Sequence, residues 1–336
     1  MTPEVPGATD LGVEAIRLQR ATLAYRAPIT TAYGTLDRRE VVLLTVVDED
    51  GRTGRGEAAP LAGFTPETVD EAEAALQRWA DEGTDPSAYP TARAAIDSAL
   101  LDLASARAGR PVHDLLSPGS PAELPVAALV AGPTVDDLAD AARRAVADGH
   151  PGVKVKVGVG PFEADLERVA AVRAAIDGAG LRLDANGAWC VSEAIDRLGR
   201  LAAFHPEFVE EPTAGLDDNA AVRAASPVPV AVDESAPDLP SIERALAVRA
   251  ADVLIVKPSA LGGPRPTAEA ARRATDAGLR VVVTSLLEGS VGIRATAHLA
   301  SALGLLQPAP GLATAGLLAT DVGEPLMAVG GALYLD

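Results

Sequence analysis

The chain has 336 residues, of which 48% are hydrophobic and 23% are charged, and its formal net charge is −18. This composition excludes a disordered chain, because so much apolar surface can form a large core. The negative charge would repel a polyanion, so nucleic acid is not expected as a partner. The sequence shows neither a secretory leader nor an uninterrupted apolar span, so no membrane association is expected. The single cysteine, Cys190, cannot form an internal disulfide, which fits a cytoplasmic location.

Residues 1–122 are predicted to form an α+β domain. Strand-like sequence is found at residues 14–24, 40–47 and 53–58, with a hairpin turn at Asp50-Gly51. Apolar residues at helical spacing are found at residues 66–79 and 91–108. Two further segments, 27–37 and 59–65, are rich in Thr, Pro and Gly and show no core pattern. We expect them to be loops that close over a site.

From residue 123 the pattern changes to short apolar strands that alternate with alanine-rich helices. The strands are predicted at residues 126–130, 152–157, 182–184, 208–210, 230–233, 253–256 and 280–284. The helices include residues 135–148, 162–179, 190–203 and 266–277. This alternation indicates a parallel sheet, and about seven units favour a closed barrel over an open sheet. The barrel is predicted to span residues 123–318, and the tail, 319–336, to return to the N-terminal domain.

Polar residues follow these strands at regular intervals. They are Lys154 and Lys156, Asp184 with Asn186, Glu210 with Glu211, Asp233 with Glu234, Lys257, and Thr284 with Ser285. Steps of 28, 26, 23 and 24 residues lead from Lys156 through the three acids to Lys257, which is one strand–helix unit per step. Because the C-terminal ends of barrel strands meet at one mouth, these side chains are predicted to share a site.

Three of the acids, Asp184, Glu210 and Asp233, each end an apolar run that points inward. Burying them without a cation would cost several kcal/mol. Carboxylates from neighbouring strands suit Mg²⁺, which binds oxygen ligands and keeps positions open for water or a substrate carboxylate. The alternative is that the acids cap helices and the lysines are edge charges. That alternative explains any single acid, but the set as a whole favours a magnesium site.

The chain contains only three lysines, Lys154, Lys156 and Lys257, and all fall at the predicted mouth. The first two are two residues apart on a strand and therefore point to the same face. Lys257 follows four strands later, nearly opposite in a barrel of about eight strands. A lysine beside another cation has a lowered pKa and can act as a base. The set predicts removal of a proton next to a carboxylate, with the metal stabilising the charge that forms.

These residues resemble the o-succinylbenzoate synthase family, in the muconate-lactonizing branch of the enolase superfamily. The matching motifs are residues 182–189 (Arg-Leu-Asp-Ala-Asn-Gly-Ala-Trp), 210–212 (Glu-Glu-Pro), 233–235 (Asp-Glu-Ser), 256–258 (Val-Lys-Pro), 56–57, 60–64 and 287–292. Each tripeptide alone is weak evidence for the family, whereas their combination, over about residues 12–320, is specific for it. The resemblance implies an α/β fold, a (β/α)7β TIM-like barrel with an N-terminal α+β capping domain.

The resemblance also implies roles for the residues. Asp184, Glu210 and Asp233 would hold Mg²⁺, and a small-molecule carboxylate, 2-succinyl-6-hydroxy-2,4-cyclohexadiene-1-carboxylate, would lose water in menaquinone biosynthesis. Lys156 is implied as the base and Lys257 as the amine on the opposite face, either as a charge partner or as a second proton carrier. Lys154 would support the anionic site. The implied substrate contacts are Arg182, Asn186, Ser285, Gly289 and Ser290, and the implied lid residues are Tyr33, Gly34, Gly63 and Phe64.

The resemblance leaves the reaction open, because relatives with this skeleton racemise N-succinylamino acids, epimerise dipeptides or lactonise muconate. Racemisation of N-succinylamino acids needs a lysine on each face of the substrate, and both lysines are present. Dipeptide epimerases typically carry an Asp-x-Asp near the end of the barrel, which residues 284–292 lack. An inactive metal-binding paralogue would be expected to lack a lysine or a ligand, and the full set is present. The sequence does not indicate an oligomeric state.

Overall fold

The computed structural model describes residues 3–31 and 34–336. The capping domain contains an antiparallel sheet of β1 (Val13–Thr31), β2 (Gly34–Asp48) and β3 (Thr53–Ala58). Its helices are α1 (Val69–Glu82), α2 (Pro90–Ala108) and the short α3 (Val112–Leu116). Buried residues of β2 such as Val42 and Leu44 pack against apolar residues of α2 such as Leu103. Glycine is required on β3, because a Cβ at Gly56 would lie 1.9 Å from the carbonyl oxygen of Ala95.

The first predicted lid loop is largely a hairpin. Residues 27–31 belong to β1, and β2 begins at Gly34, with Ile29 paired to Leu36. The β-branched residues around this position favour strand, which outweighs the Pro and Gly that predicted a loop. The loop prediction for residues 27–37 is therefore wrong over the part of it that the structure describes. Tyr33 lies outside the described residues.

The second domain is built on a parallel sheet whose strands are adjacent in chain order. Within the described chain this sheet has seven strands: β5 (Ala128–Leu129), β6 (Gly152–Lys156), β7 (Gly180–Asp184), β8 (Phe208–Glu210), β9 (Val230–Val232), β10 (Val253–Val256) and β11 (Arg280–Val283). The helices are α4 (Val135–Ala147), α5 (Phe162–Ala175), α6 (Val191–Leu201), α7 (Leu216–Ala225), α8 (Leu239–Val248), α9 (Pro258–Leu261), α10 (Pro264–Asp276) and α11 (Ser290–Ala302).

An irregular segment closes the barrel between β11 and β5. The amide of Ala127 donates to the carbonyl of Pro310 at 2.9 Å, and the amide of Gly311 donates to the carbonyl of Val283 at 2.9 Å. The segment therefore occupies the eighth position of the barrel without forming a regular strand. The predicted (β/α)7β barrel with an α+β capping domain is confirmed.

Strand register determines which side chains enter the barrel. Phe208, Ala231, Val253, Ile255 and Val282 form one buried cluster, contributed by four neighbouring strands. Side chains two residues further along a strand point to the same face, towards the C-terminal mouth. In that layer Lys156, Asp184 and Glu210 are register partners on β6, β7 and β8. The apolar cluster thus forms the floor beneath the polar site.

The tail connects to both domains. β12 (Leu318–Thr320) pairs antiparallel with β1 in the capping sheet, as expected for a returning tail. β13 (Ala332–Tyr334) instead pairs with β4 (Glu123–Pro125), next to the barrel, which corrects the expectation for the last residues. The reason is burial, because Leu333 is fully buried in the same apolar cluster as Leu124. The boundaries 1–122, 123–318 and 319–336 remain predictions.

Among the helices of residues 3–31 and 34–336, none has the length and apolar character required to span a bilayer.

Candidate active site

A cavity opens at the C-terminal mouth of the barrel, beneath the capping domain. Its wall includes all of the chain's lysines and the three acids predicted to bind metal, together with Arg182, Asn186, Glu234, Thr284, Ser285 and Thr314. The capping domain contributes Ile29, Leu61 and Phe64. The structure therefore brings together side chains from six successive strands that lie far apart in sequence. The amines face this cavity rather than bulk solvent.

The acids are buried and paired with lysines. Asp184, Glu210 and Asp233 are 3%, 2% and 6% exposed. Lys154 lies between two of them, with its Nζ 2.9 Å from Asp184 Oδ2 and 2.6 Å from Glu210 Oε1. Lys257 Nζ forms an ion pair with Asp233 Oδ1. Charge compensation by lysine keeps these carboxylates stable inside the barrel.

The donor set fits a hard divalent cation, although its oxygens are turned towards the lysines. Within the part of the chain that the structure describes, no three acidic, His or Cys side chains are grouped as a metal site. The carboxylates nevertheless lie on neighbouring strands of one cavity and repel one another. Burial raises the pKa of Glu210 well above its usual range, and the charges of Asp184 and Asp233 act against the pull of Lys154. A cation shared by the three acids would remove that repulsion, so they fit Mg²⁺.

Lys156 differs from the other two lysines in its surroundings. Burial lowers its pKa, and the charge of Lys154 adds to this effect while Asp184 opposes it. Burial alone would also lower the pKa values of Lys154 and Lys257, but neighbouring carboxylates outweigh burial and raise both. Lys156 is therefore the amine that most readily loses its proton, which is the property of a general base.

Asn186 holds Lys156 in place. The Nζ of Lys156 donates to Asn186 Oδ1 at 2.8 Å, and Asn186 Nδ2 donates to Glu234 Oε1 at 2.9 Å. These contacts place Asn186 beside the predicted base, and its role as a substrate contact stays a prediction. Glu234 was not assigned a role from the sequence. The signal for it was its position directly after Asp233, where β9 has ended and both side chains can reach the cavity.

Glu234 is a buried acid with unsatisfied hydrogen-bonding capacity. Burial raises its pKa to about 7, with further contributions from the charges of Asp233 and Asp184. Its Oε2 has no hydrogen-bond partner among the described residues. A cavity that leaves such an oxygen unpaired can accept a further polar group.

Lys257 lies across the barrel from Lys156. Three strands, β7, β8 and β9, separate β6 from β10, which places the two lysines on opposite sides of an eight-position barrel. Lys257 Nζ is 4.5 Å from the centre of the Phe64 ring, in range of a cation–π contact. Phe64 is 9% exposed and packs with Leu61, so this part of the second predicted lid loop covers the cavity.

Only some of the other predicted substrate and lid residues lie at the cavity. Arg182 and Ser285 line it. The Arg182 guanidinium is already engaged, because it donates to Glu207 at 2.8 Å and to the carbonyl of Ala309 at 2.6 Å. Ser285 Oγ accepts a hydrogen bond of 2.9 Å from Thr314.

Gly289 and Ser290 are not brought to the cavity wall. Their amides donate to Glu57 at 2.7 Å and to Asp321 at 2.9 Å. Gly63 and Gly34 are also absent from the cavity wall, and Gly34 is the first residue of β2. The predicted roles of these four residues towards a substrate remain predictions.

Two family matches cover most of the chain. Residues 137–335 match the family described as Enolase C-terminal domain-like, and residues 13–103 match MenC, N-terminal domain. The chain belongs to the enolase superfamily. The resemblance read from the strand-end motifs is thereby confirmed.

Individual relatives in the superfamily carry several activities. The o-succinylbenzoate synthase of Thermobifida fusca is 44% identical over 198 residues, which are 58% of this chain and 62% of that protein, so the match spans less than two thirds of it. The o-succinylbenzoate synthase of Mycobacterium ulcerans is 31% identical over 334 residues, 98% of this chain and 87% of that protein. The N-succinyl-L-Arg/Lys racemase of Bacillus cereus is 26% identical over 310 residues, 86% of this chain and 84% of that protein.

Solved structures give the same fold. The muconate lactonizing enzyme from Pseudomonas fluorescens, complexed with muconolactone, superposes with a TM-score of 0.83 at 28% identity. The superposition covers 96% of this chain and 94% of that one.

Proposed function

We propose that the protein is an o-succinylbenzoate synthase of menaquinone biosynthesis. It would remove water from 2-succinyl-6-hydroxy-2,4-cyclohexadiene-1-carboxylate to give 2-succinylbenzoate. The observation that carries this proposal is that one cavity is lined by all of the chain's lysines and by three buried carboxylates on adjacent strands. The o-succinylbenzoate synthases of Thermobifida fusca and Mycobacterium ulcerans, two of several among its relatives, support the choice of reaction.

Asp184, Glu210 and Asp233 are the residues that would hold Mg²⁺. When bound, the cation supplies positive charge opposite the negative charge that develops on the substrate carboxylate. Lys154, which bridges Asp184 and Glu210, would keep a fixed positive charge at the same place. The raised pKa of Lys154 suits this role, because the amine stays protonated throughout the reaction.

Lys156 performs the proton transfers in this proposal. Its neutral amine takes the proton from the ring carbon that bears the carboxylate and becomes an ammonium group. The bond from the neighbouring ring carbon to its hydroxyl then breaks, and the same ammonium returns the proton to the leaving hydroxide as water. The ring becomes aromatic, and Lys156 is neutral again. One amine on one face serves both steps, so the elimination is syn.

Lys257 and the capping domain complete the site. Lys257 lies on the opposite side, where its charge would stabilise the electron-rich ring. Phe64 and Leu61 cover the cavity, and their apolar side chains would keep water from the reacting atoms.

The test is a spectrophotometric dehydration assay of the purified protein with Mg²⁺. Wild type is expected to form 2-succinylbenzoate, and Lys156→Arg to lose at least about 10³-fold in kcat because arginine stays protonated. Calorimetric binding of Mg²⁺ to the variant should stay near the wild-type value. Substantial activity in Lys156→Arg would show that another group is the base. Mg²⁺ binding without turnover of any substrate would indicate an inactive paralogue.

Racemisation of N-succinylamino acids is the second candidate. It is favoured by the placement of Lys156 and Lys257 on opposite sides of the barrel, since a two-base reaction needs an amine on each face. The racemase relative from Bacillus cereus supports it. Incubation with an N-succinylamino acid in deuterated water would detect this activity as loss of optical rotation together with uptake of deuterium at the α-carbon.

A further inference from the structure

The cavity wall that follows β11 is held by side chains from the capping domain. We call residues 286–292 the wall segment, which supplies Leu286 and Leu287 to the cavity. From β1, the hydroxyl of Tyr25 donates to the carbonyl of Leu287 at 2.9 Å. From β2, the guanidinium of Arg39 donates to the carbonyl of Leu286. Two adjacent carbonyls of the barrel loop are therefore fixed by two adjacent strands of the other domain.

The third strand of the capping sheet holds the other end of the wall segment. The carboxylate of Glu57, on β3, accepts hydrogen bonds from the amides of Gly289 at 2.7 Å and Gly292 at 2.9 Å. These amides lie at the start of α11, where helix N–H groups have no partner within the helix. Glu57 is 3% exposed, and burial raises its pKa to about 7. The Glu57 carboxylate is therefore shielded from water and hydrogen-bonded to the wall segment.

Arg39 also joins the wall segment to the loop that carries Phe64. Its guanidinium donates to the carbonyls of Ala59 and Pro60, the latter at 2.8 Å. Leu286 packs with Leu61 and Phe64 of that loop. One buried side chain, 7% exposed, therefore determines how two parts of the cavity wall meet.

The backbone of the wall segment does not adopt a relaxed conformation. Leu287 has φ of 59°, in the left-handed region that residues other than glycine rarely adopt. Such a conformation persists only where the surroundings impose it. The hydrogen bond from Tyr25 to the carbonyl of this residue is one of those constraints.

We propose that Tyr25, Arg39 and Glu57 are positioning residues that fix the wall segment and thereby set the fit of the apolar part of a carboxylate substrate. That these three residues fix the wall segment does not depend on which reaction the protein catalyses. Their effect on the substrate rests on the proposed function. Because the side chains that the segment contributes to the cavity wall, Leu286 and Leu287, are apolar, its displacement acts on substrate fit and leaves the metal ligands in place.

The experiment compares Tyr25→Phe, Arg39→Lys and Glu57→Gln with wild type. Tyr89→Phe is the matched control, because it removes a hydroxyl of the capping domain outside these contacts. Amide hydrogen exchange, read by mass spectrometry, is expected to be about tenfold faster in residues 286–292 of each variant, the effect of losing roughly one hydrogen bond. Exchange in β6 to β10 and Mg²⁺ binding should stay at wild-type values. In the dehydration assay KM should rise about tenfold, with kcat changed less than threefold.

Unchanged exchange of the wall segment in these variants would overturn the proposal, as would a rise spread evenly over the barrel strands. A loss of kcat at constant KM would also contradict it. If the buried-charge variants do not fold, Tyr25→Phe decides the question alone, because it removes one hydroxyl without changing charge. If wild type does not dehydrate the substrate, the proposed function fails, and the exchange measurement still tests the hold on the wall segment.

Discussion

Lys156 donates a hydrogen bond of 2.8 Å to the amide oxygen of Asn186 on the neighbouring strand end. This contact orients the one lysine of the site whose pKa is lowered, while leaving the amine at the cavity wall. A neutral amide accepts the bond without adding charge, so it positions Lys156 and favours the ammonium form less than a carboxylate in its place would. A base that must be unprotonated to act benefits from that neutrality.

Replacement of Asn186 by aspartate is expected to shift the pH profile of the reaction. A carboxylate beside Lys156 favours the ammonium form, so its pKa rises. Because the neutral amine is the active form, the acid limb of kcat against pH should move to higher pH, by about one unit. Asn186→Ala, which removes the contact without adding charge, is the control. An acid limb that does not move in Asn186→Asp would show that Lys156 is not the titrating base.

Substitutions of Lys257 distinguish a charge role from a proton-transfer role. If Lys257 only stabilises charge, Lys257→Arg should retain dehydration within about tenfold of wild type, whereas Lys257→Ala should lose about 10²-fold or more. Racemisation should be lost in both variants, because arginine cannot transfer the second proton. The two activities are measured separately on the same preparations. Equal loss of dehydration in both variants would contradict the charge role.

His298 is expected to make stability fall in acid. Burial lowers its pKa to about 3 from an ordinary value of 6.5, with a smaller contribution from His113. The unfolded chain therefore binds a proton that the folded chain does not, and stability decreases as pH falls from 6.5 towards 3, by at most about 1.4 kcal/mol per unit. Urea unfolding of wild type and His298→Gln across this range should show a flatter dependence in the variant. His205→Asn, at an exposed histidine, should keep the wild-type slope.

Gly56→Ala tests the packing of the capping domain. A Cβ there would lie 1.9 Å from the carbonyl oxygen of Ala95, so β3 and α2 must separate, at a cost of about 1–3 kcal/mol in the free energy of unfolding. Gly160→Ala is the control, because nothing lies within 4 Å of its added Cβ. Equal stability of the two variants would show that the close packing of β3 against α2 at Gly56 is not required for stability.

Sequence reasoning was most reliable where burial and periodicity agree. The strands ending at Glu210 and Val256 have the predicted bounds, because each is a short apolar run in the centre of a parallel sheet. The sequence predicted that the lysines and the acids share one site, because the C-terminal ends of barrel strands converge whatever helices lie between them. It could not predict the distances between these side chains, because the direction of each carboxylate depends on which cation it contacts.

Contacts between side chains and distant parts of the chain could not be predicted. The amides of Gly289 and Ser290 donate to Glu57 and Asp321, which are distant in sequence, and the predicted role of both residues towards a substrate stays a prediction. No local pattern reports such long-range partners. The hairpin around Ile29 was missed because Pro and Gly indicate loops locally, whereas pairing with β2 stabilises strand. Glu234 was noted in the sequence but assigned no role. Its carboxylate accepts a hydrogen bond from Asn186, and this contact forms only in the folded protein.

The most direct measurement is a crystal structure of the protein with Mg²⁺ and 2-succinylbenzoate. We expect one cation bound by Asp184, Glu210 and Asp233 at about 2.0–2.1 Å, with Lys156 and Lys257 on opposite faces of the aromatic ring. A cation bound elsewhere, or both lysines on the same face of the ring, would contradict the proposed site.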